Sequence, residues 1–382
     1  MRRIYLDNAA TTAVLPEVLE VMLPYFTKVY GNASSIHAPG REAKRALENA
    51  RRQVAKALGA AIPQEIYFTA GGSESDNWAI KGVALAHGKG HIITTAIEHH
   101  AVLHTCQWLE KQGFAVTYLP VDAYGQVTAA QVEAALRPDT ILVSVMAANN
   151  EIGTLEPVAE IGALCRARQV IFHTDAVQAV GAVPLDVQAM HIDLLSLSGH
   201  KLHGPKGVGA LYIRKGVKLI PLLHGGAQER GFRAGTENLP GIVGLGKAVE
   251  IAHAHLEENA SRMTALRQQL LTGLMARVPD TRLNGHPTQR LPGNVNLSFA
   301  KVEGEALLLR LDLMGVAGSS GSACTSGTLD PSHVLLALGL SEAEANGALR
   351  LTLGTDTTAE DIDAVLDILP PIVADLRRLV TR

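Results

Sequence analysis

The chain has 382 residues, 47% of them hydrophobic and 19% charged, with a formal net charge of −3. That length supports two domains and a large buried core. The near-neutral balance leaves no electrostatic footprint for nucleic acid or an anionic membrane, and no apolar run reaches the ~18 residues that a membrane span needs. The start, Met1-Arg2-Arg3-Ile4-Tyr5-Leu6-Asp7, lacks the apolar core of a secretory signal, so a cytoplasmic location is expected. Cys106, Cys165 and Cys324 lie far apart, and no C-x-x-C spacing suggests a disulfide framework or a structural zinc site.

In chain order, a helical stretch at 16–26 comes first. Short runs rich in β-formers then alternate with helical patterns. The spacing predicts strands at 66–68, 92–95, 116–119, 141–145, 170–173, 194–197 and 210–213, with helices at 74–86, 101–112, 129–136 and 158–168. Strands separated by helices imply βαβ crossovers and a mostly parallel, seven-stranded sheet with helices on both faces. From about residue 255 the pattern changes to a long helix (256–275), a strand (294–299) and helices at 303–313, 334–338 and 359–380. We expect a large α/β domain over 15–254 and a smaller α+β domain made of 255–382 together with 1–14.

Ligands of such sheets bind at the carboxyl ends of the strands. After 66–68, Thr69-Ala70-Gly71-Gly72-Ser73 opens a helix. Its free N–H groups and dipole suit a phosphate, although an ordinary cap by Ser73 reads equally well. After 92–95 comes Glu98-His99-His100, where His99 can stack on a flat ring or move protons. His100 and His104 share a helix face, but no Cys or carboxylate completes a metal set, so no metal is expected. Asp175 follows 170–173 and is costly to bury unless paired, for instance with a protonated pyridine nitrogen. A structural turn cap is the alternative. After 194–197 comes Ser198-Gly199-His200-Lys201-Leu202-His203-Gly204-Pro205. A lysine held in such a turn gives up its proton readily, as a Schiff base with an aldehyde cofactor requires. The strand ends thus offer a phosphate site (Gly72, Ser73, Ser198, His200), a stacker (His99), a carboxylate (Asp175), amides (Asn150, Gln178) and an amine (Lys201). That set suits pyridoxal 5'-phosphate better than a nucleotide, because Gly204, Gly207 and Gly209 do not form G-x-G-x-x-G.

At this point the chain resembles the cysteine desulfurases of nitrogen-fixation and iron–sulfur-cluster type. These belong to the class V aminotransferase-like branch of the fold-type I pyridoxal-phosphate enzymes. The resemblance runs through Tyr5-Leu6-Asp7-Asn8-Ala9-Ala10-Thr11-Thr12, Glu74-Ser75-Asp76-Asn77, Asn149-Asn150-Glu151-Ile152-Gly153, His173-Thr174-Asp175, Arg233-Ala234-Gly235-Thr236-Glu237-Asn238 and Ser319-Ser320-Gly321-Ser322-Ala323-Cys324. It implies that Lys201 carries the cofactor as a Schiff base and moves the Cα proton. Asp175 would then hold the ring nitrogen protonated, His99 stack on the ring, Gln178 contact the ring hydroxyl, and Gly72, Ser73, Ser198 and His200 hold the phosphate. It further implies a homodimer in which Thr236 reaches the partner's phosphate. Asn150 and Arg350 would bind the carboxylate of L-cysteine. Cys324 would take the sulfur as a persulfide, in a glycine- and serine-rich loop with little to pack, and pass it to a sulfur-acceptor protein such as an iron–sulfur scaffold or a tRNA-thiolation enzyme.

Ser73 stands where many relatives carry threonine and keeps the hydroxyl. The end at Arg382, soon after a helix, resembles the nitrogen-fixation type and leaves the acceptor open. Two other readings are a selenocysteine lyase or a related transaminase or lyase, which would not need the Cys324 loop, and a fold-retaining sulfur carrier or assembly partner, which should lack Lys201 or Asp175.

Overall fold

Aliphatic and β-branched runs between glycine or polar turns form the strands that alternation predicts. The computed structural model describes residues 3–320 and 331–380. It opens with a two-residue strand, β1 (Ile4–Tyr5). The large sheet follows with β2 (Ile66–Thr69), β3 (His91–Thr95), β4 (Ala115–Leu119), β5 (Thr140–Ser144), β6 (Ile171–Asp175), β7 (Leu194–Ser198) and β8 (Gly209–Ile213). Among the described residues these seven lie in the order β2-β8-β7-β6-β5-β3-β4. Strands β7, β6, β5, β3 and β4 run parallel, and β8 is antiparallel to both neighbours. The carboxyl ends of the parallel strands therefore lie along one edge, which brings His99, Asn150, Asp175 and Lys201 to a common place.

The helix predicted at 16–26 is two helices, Pro16–Met22 and Pro24–Thr27. Pro24 has no N–H to continue the first helix, yet its fixed φ suits the first turn of the next. Two long helices come in addition to those expected, Ala38–Leu58 and Leu239–Ala254, and they pack on each other. The first is capped by the ring of His37, which accepts the Gly40 N–H, and is closed by Gly59 at φ 68°. Leu47, Val54 and Leu58 from one helix and Ile242, Leu245 and Val249 from the other join the core beneath the sheet.

The C-terminal part builds a second core. Here β9 (Thr281–Leu283), β10 (Asn294–Phe299) and β12 (Ala348–Thr352) form an antiparallel sheet, while β11 (Val316–Ala317) pairs with β1. Leu297, Leu349 and Leu351 of that sheet pack with Leu270 and Leu274 of helix Leu256–Arg277 and with Val365 and Leu369 of helix Ala359–Val380. Ile4 and Leu6 belong to this same core. The N-terminal segment thus starts in the smaller unit and runs across to the large sheet. Among the described residues no helix is long and apolar enough to cross a membrane.

One buried ion pair ties the sheet edge to a distant loop. Arg51 lies over the Phe68 ring and donates from Nη1 to Glu229 Oε2 and from Nη2 to Glu229 Oε1, both at 2.8 Å. Glu229 also accepts the Phe68 N–H at 3.0 Å. Breaking such a pair strands a charge away from water and costs about 3–5 kcal/mol. Urea unfolding of Arg51→Ala is expected to show a loss of that size. The double variant with Glu229→Ala should lose less than the sum of the single variants.

Candidate active site

The strand ends enclose a cavity of about 400 Å³. Gly72, Ser73, His99, Asn150, Asp175, Gln178, Ser198, His200, Lys201 and Arg350 all line it. Thr236 does not, and Cys324 lies outside the described residues.

Lys201 closes a single 3-10 turn, Gly199–Lys201, directly after β7. Gly199 permits that turn, because a Cβ there would sit 2.9 Å from the Pro205 carbonyl. The Lys201 Nζ donates to the carbonyls of Ala9 at 2.5 Å and Ala10 at 2.7 Å. Gln178 Nε2 donates to the Ala9 carbonyl as well, at 3.0 Å. The N-terminal segment therefore forms one wall of the site. Its motif was visible in the sequence, but nothing local assigned it this task.

Asp175 ends β6, is 5% exposed and accepts the Val177 N–H at 2.9 Å. Burial raises its pKa to about 6, against the pull of that N–H and of the Lys201 charge. His99 caps helix His100–Lys111, its Nδ1 accepting the Ala101 N–H at 3.1 Å. Burial, with Lys201, His333 and His104 nearby, lowers its pKa to about 4. The ring is neutral at pH 7, with the proton on Nε2. His200 is likewise held near 4, by burial and then by Lys201 and Lys206. Its Nδ1 lies 3.1 Å from Thr11 Oγ1.

The expected phosphate site is the start of helix Gly72–His87, which no side chain caps. Its first-turn amides are open to a phosphate, and the dipole favours one. A Cβ on Gly72 would meet Val177 Cγ2 at 2.7 Å, so glycine lets the backbone come this close. Ser73 is exposed and, with Ser198 and His200, also borders an adjoining hollow that contains Lys206. Lys206 is not among the residues expected at the strand ends. Glu74 closes the turn by accepting the Ala70 N–H at 2.9 Å and binding Arg233 Nε at 2.9 Å. That ion pair holds the stretch leading to the exposed Thr236.

Arg350 comes from β12, in the second core. Its Nη2 binds Asp7 Oδ1 at 2.9 Å and its Nη1 binds the Asn150 carbonyl at 3.0 Å. The buried Nε makes no hydrogen bond. The predicted pair Asn150 and Arg350 is thus joined through the Asn150 backbone. Asp76 also lines the cavity and was absent from the expected set. Among the described residues, Asp76, His99 and Asp175 alone form a cluster with metal-ligating atoms within 4.8 Å of one another. Lys201 supplies positive charge there already, since its field acts on both His99 and Asp175. His100 and His104, weighed above as a metal pair, have ring centroids 5.0 Å apart.

An uncapped phosphate cradle, a raised carboxyl, a neutral histidine and a held lysine fit pyridoxal phosphate group by group. Comparison with known proteins gives the same direction. Residues 4–365 match the family described as Aminotransferase class-V. A protein of Methanosarcina thermophila named "Cysteine desulfurase IscS" is 59% identical over 380 residues, covering 99% of this chain and 94% of that one. Two similar solved structures are "NIFS-LIKE PROTEIN" (TM-score 0.92, 42% identity, 98% of this chain and 100% of that one) and "SspA in complex with cysteine" (TM-score 0.82, 42% identity, 92% and 98%).

A buried acid without a full cationic partner costs stability at neutral pH. The Asp175 pKa is raised from 3.8 to about 6, so the folded chain binds more protons than the unfolded one between those values. Stability is therefore lost as the pH rises through that window. Cofactor-free Asp175→Asn is expected to melt above wild type at pH 7 and level with it near pH 4 in thermal scans.

Proposed function

This chain belongs to the aminotransferase class-V family, and on that footing we propose that it is a cysteine desulfurase. It takes sulfur from L-cysteine, releases L-alanine and holds the sulfur as a persulfide on Cys324 for an acceptor protein. The observation that carries this reading is the meeting of Lys201, Asp175, neutral His99 and Arg350 in one cavity. Pyridoxal phosphate, when bound, supplies an electron sink for the bonds around the amino acid's Cα.

The chain's own residues divide the remaining work. The helix start at Gly72 and Ser73, with Ser198 and His200, holds the phosphate. The Asp175 carboxylate would pair with a protonated ring nitrogen, and the loss of its burial cost would help retain the cofactor. Lys201 would hold the cofactor's aldehyde end and move the Cα proton. His99 would face the ring, and its Nε2–H is the proton it has to give. The guanidinium of Arg350, already oriented by Asp7, takes the substrate carboxylate together with Asn150.

In the sulfur step the Cys324 thiolate attacks the substrate sulfur. The S–S bond forms, the Cβ–S bond breaks, and its electron pair goes to carbon. The carbon gains a proton, so a thiol and cysteine become a persulfide and alanine with no outside oxidant. Described residues flanking 321–330 support this role. Ser319 N donates to the Arg350 carbonyl at 3.0 Å, and His333 Nε2 lies 3.0 Å from the Glu98 carbonyl, beside His99.

The working form in this reading is a homodimer, since Thr236 is exposed and outside its own cavity, and its assigned location is the cytoplasm. Its phosphate is then the partner's. The units span 15–254 and 255–382 with 1–14, and the acceptor is an iron–sulfur scaffold or a thiolation enzyme.

The deciding experiment is the visible spectrum of purified protein before and after L-cysteine, with alanine and persulfide assayed together. Wild type should be yellow and yield both products. Lys201→Ala should yield neither. Cys324→Ala should keep the spectrum and lose the persulfide, and full sulfur transfer by that variant overturns the assignment. Arg350→Lys loses a charge-assisted fork worth about 1.5–3 kcal/mol, so KM for cysteine should rise about ten- to a hundredfold. Mixing Thr236→Ala with Lys201→Ala protomers should restore part of the activity if the sites are shared.

A further inference from the structure

Asp76 has no task in the proposed reaction, yet it faces the same cavity as Asp175 and His99. It lies in the second turn of helix Gly72–His87 and is 1% exposed. One of its oxygens is within 4.8 Å of a ligand atom on Asp175 and on His99.

Around Asp76, only the Ser196 hydroxyl favours a charge, and burial with the neighbouring acids outweighs it. From β6, His173 Nε2 stands 3.7 Å from Asp76 Oδ1, but that ring is already engaged. Its Nδ1 lies 2.8 Å from Ser144 Oγ and its Nε2 lies 3.0 Å from Ser196 Oγ. Burial lowers the His173 pKa to about 3, so the ring stays neutral. From β7, the Ser196 hydroxyl bonds to the Asp76 carboxyl, while Oδ1 makes no hydrogen bond. Beyond β3, the buried Glu98 adds a second acid to the neighbourhood. Among the described residues no lysine or arginine forms an ion pair with Asp76. The Lys201 charge acts on Asp175, which also has the Val177 N–H.

Two buried carboxyls this close do not both ionise, and they titrate as a pair. The charge stays where it is best supported, which is Asp175. The proton stays on Asp76, whose free Oδ1 is the oxygen to bear it. We propose that Asp76 is the proton-bearing member of a buried carboxyl pair and a positioning residue that keeps the pair's single negative charge on Asp175. The inference rests on the reading above, in which that charge pairs with the cofactor's ring nitrogen. Burial first, then the Asp175 and Glu98 charges, raise the Asp76 pKa well above the usual range, against the Ser196 bond, whereas Asp175 rises only to about 6.

The test uses Asp76→Asn, the neutral isostere of the protonated acid. In the yellow holoprotein, the pH midpoint of the visible absorbance is expected to match wild type. Removing an ionised carboxylate at this distance would instead move the midpoint by about one unit or more, and that result overturns the proposal. The second readout needs no cofactor. Carbon-13 NMR of cofactor-free protein labelled at the aspartate carboxyls should show a protonated acid at pH 7 that disappears in Asp76→Asn. Its absence from wild type overturns the proposal even if the variant does not fold. If wild type never takes up pyridoxal phosphate, the proposed reaction fails, while the carboxyl signal still decides the state of Asp76.

Discussion

Asp175 stands buried at the end of β6, and its neighbours pull its carboxyl in opposite directions. Burial pushes its carboxyl toward neutrality, while the Val177 N–H and the Lys201 charge pull it back toward the carboxylate. The balance leaves a group poised near pH 6, ready for a stronger cationic partner. A pyridinium nitrogen is such a partner. Burial and the nearby Lys201 charge keep His99 and His200 uncharged, so positive charge in the cavity comes from Lys201 and Arg350 rather than from imidazolium. One solvation constraint thus sets several protonation states at once.

The second structural theme is the route of the N-terminal segment. Ile4 and Leu6 are fixed in the C-terminal core, and β1 is paired with β11. A few residues later the backbone carbonyls of Ala9 and Ala10 hold the Lys201 amine. Asp7, between these points, orients Arg350. The segment therefore sets the distance between the amine at the end of the large sheet and the guanidinium on the small one. A shift between the two units would alter both contacts together.

Near Thr236 the chain is held by charge and strained in its backbone. Glu229 and Arg230 have φ of 45° and 59°, a region that side chains disfavour. The Arg51–Glu229 pair and the Arg233–Glu74 pair hold the stretch in place. Glu74 also closes the Gly71–Gly72 turn, so the start of that helix and the stretch toward Thr236 share one carboxylate.

Much of this was legible in the residues themselves. Alternation of β-forming and helical runs gave the strands of the large sheet, because side-chain period and turn residues are local properties. The same local logic put Asp175 and Lys201 at strand ends, and glycines with a serine at the helix start. Helix Ala38–Leu58 carries its own signals in Pro39 and Gly59, but lies outside the strand–helix alternation that guided the reading. Only the tertiary structure decided what Asp76 is. In sequence it is one acid in a polar helix start, and its burial exists only when β6 and β7 close over it. Only the tertiary structure joined Arg350 to Asp7, 343 residues apart, and set the Ala9 carbonyl against Lys201. Solvent exclusion and electrostatic fields belong to the assembled fold. The sequence therefore determined which chemical groups are present and at which strand ends, and the fold decided which of them carry charge.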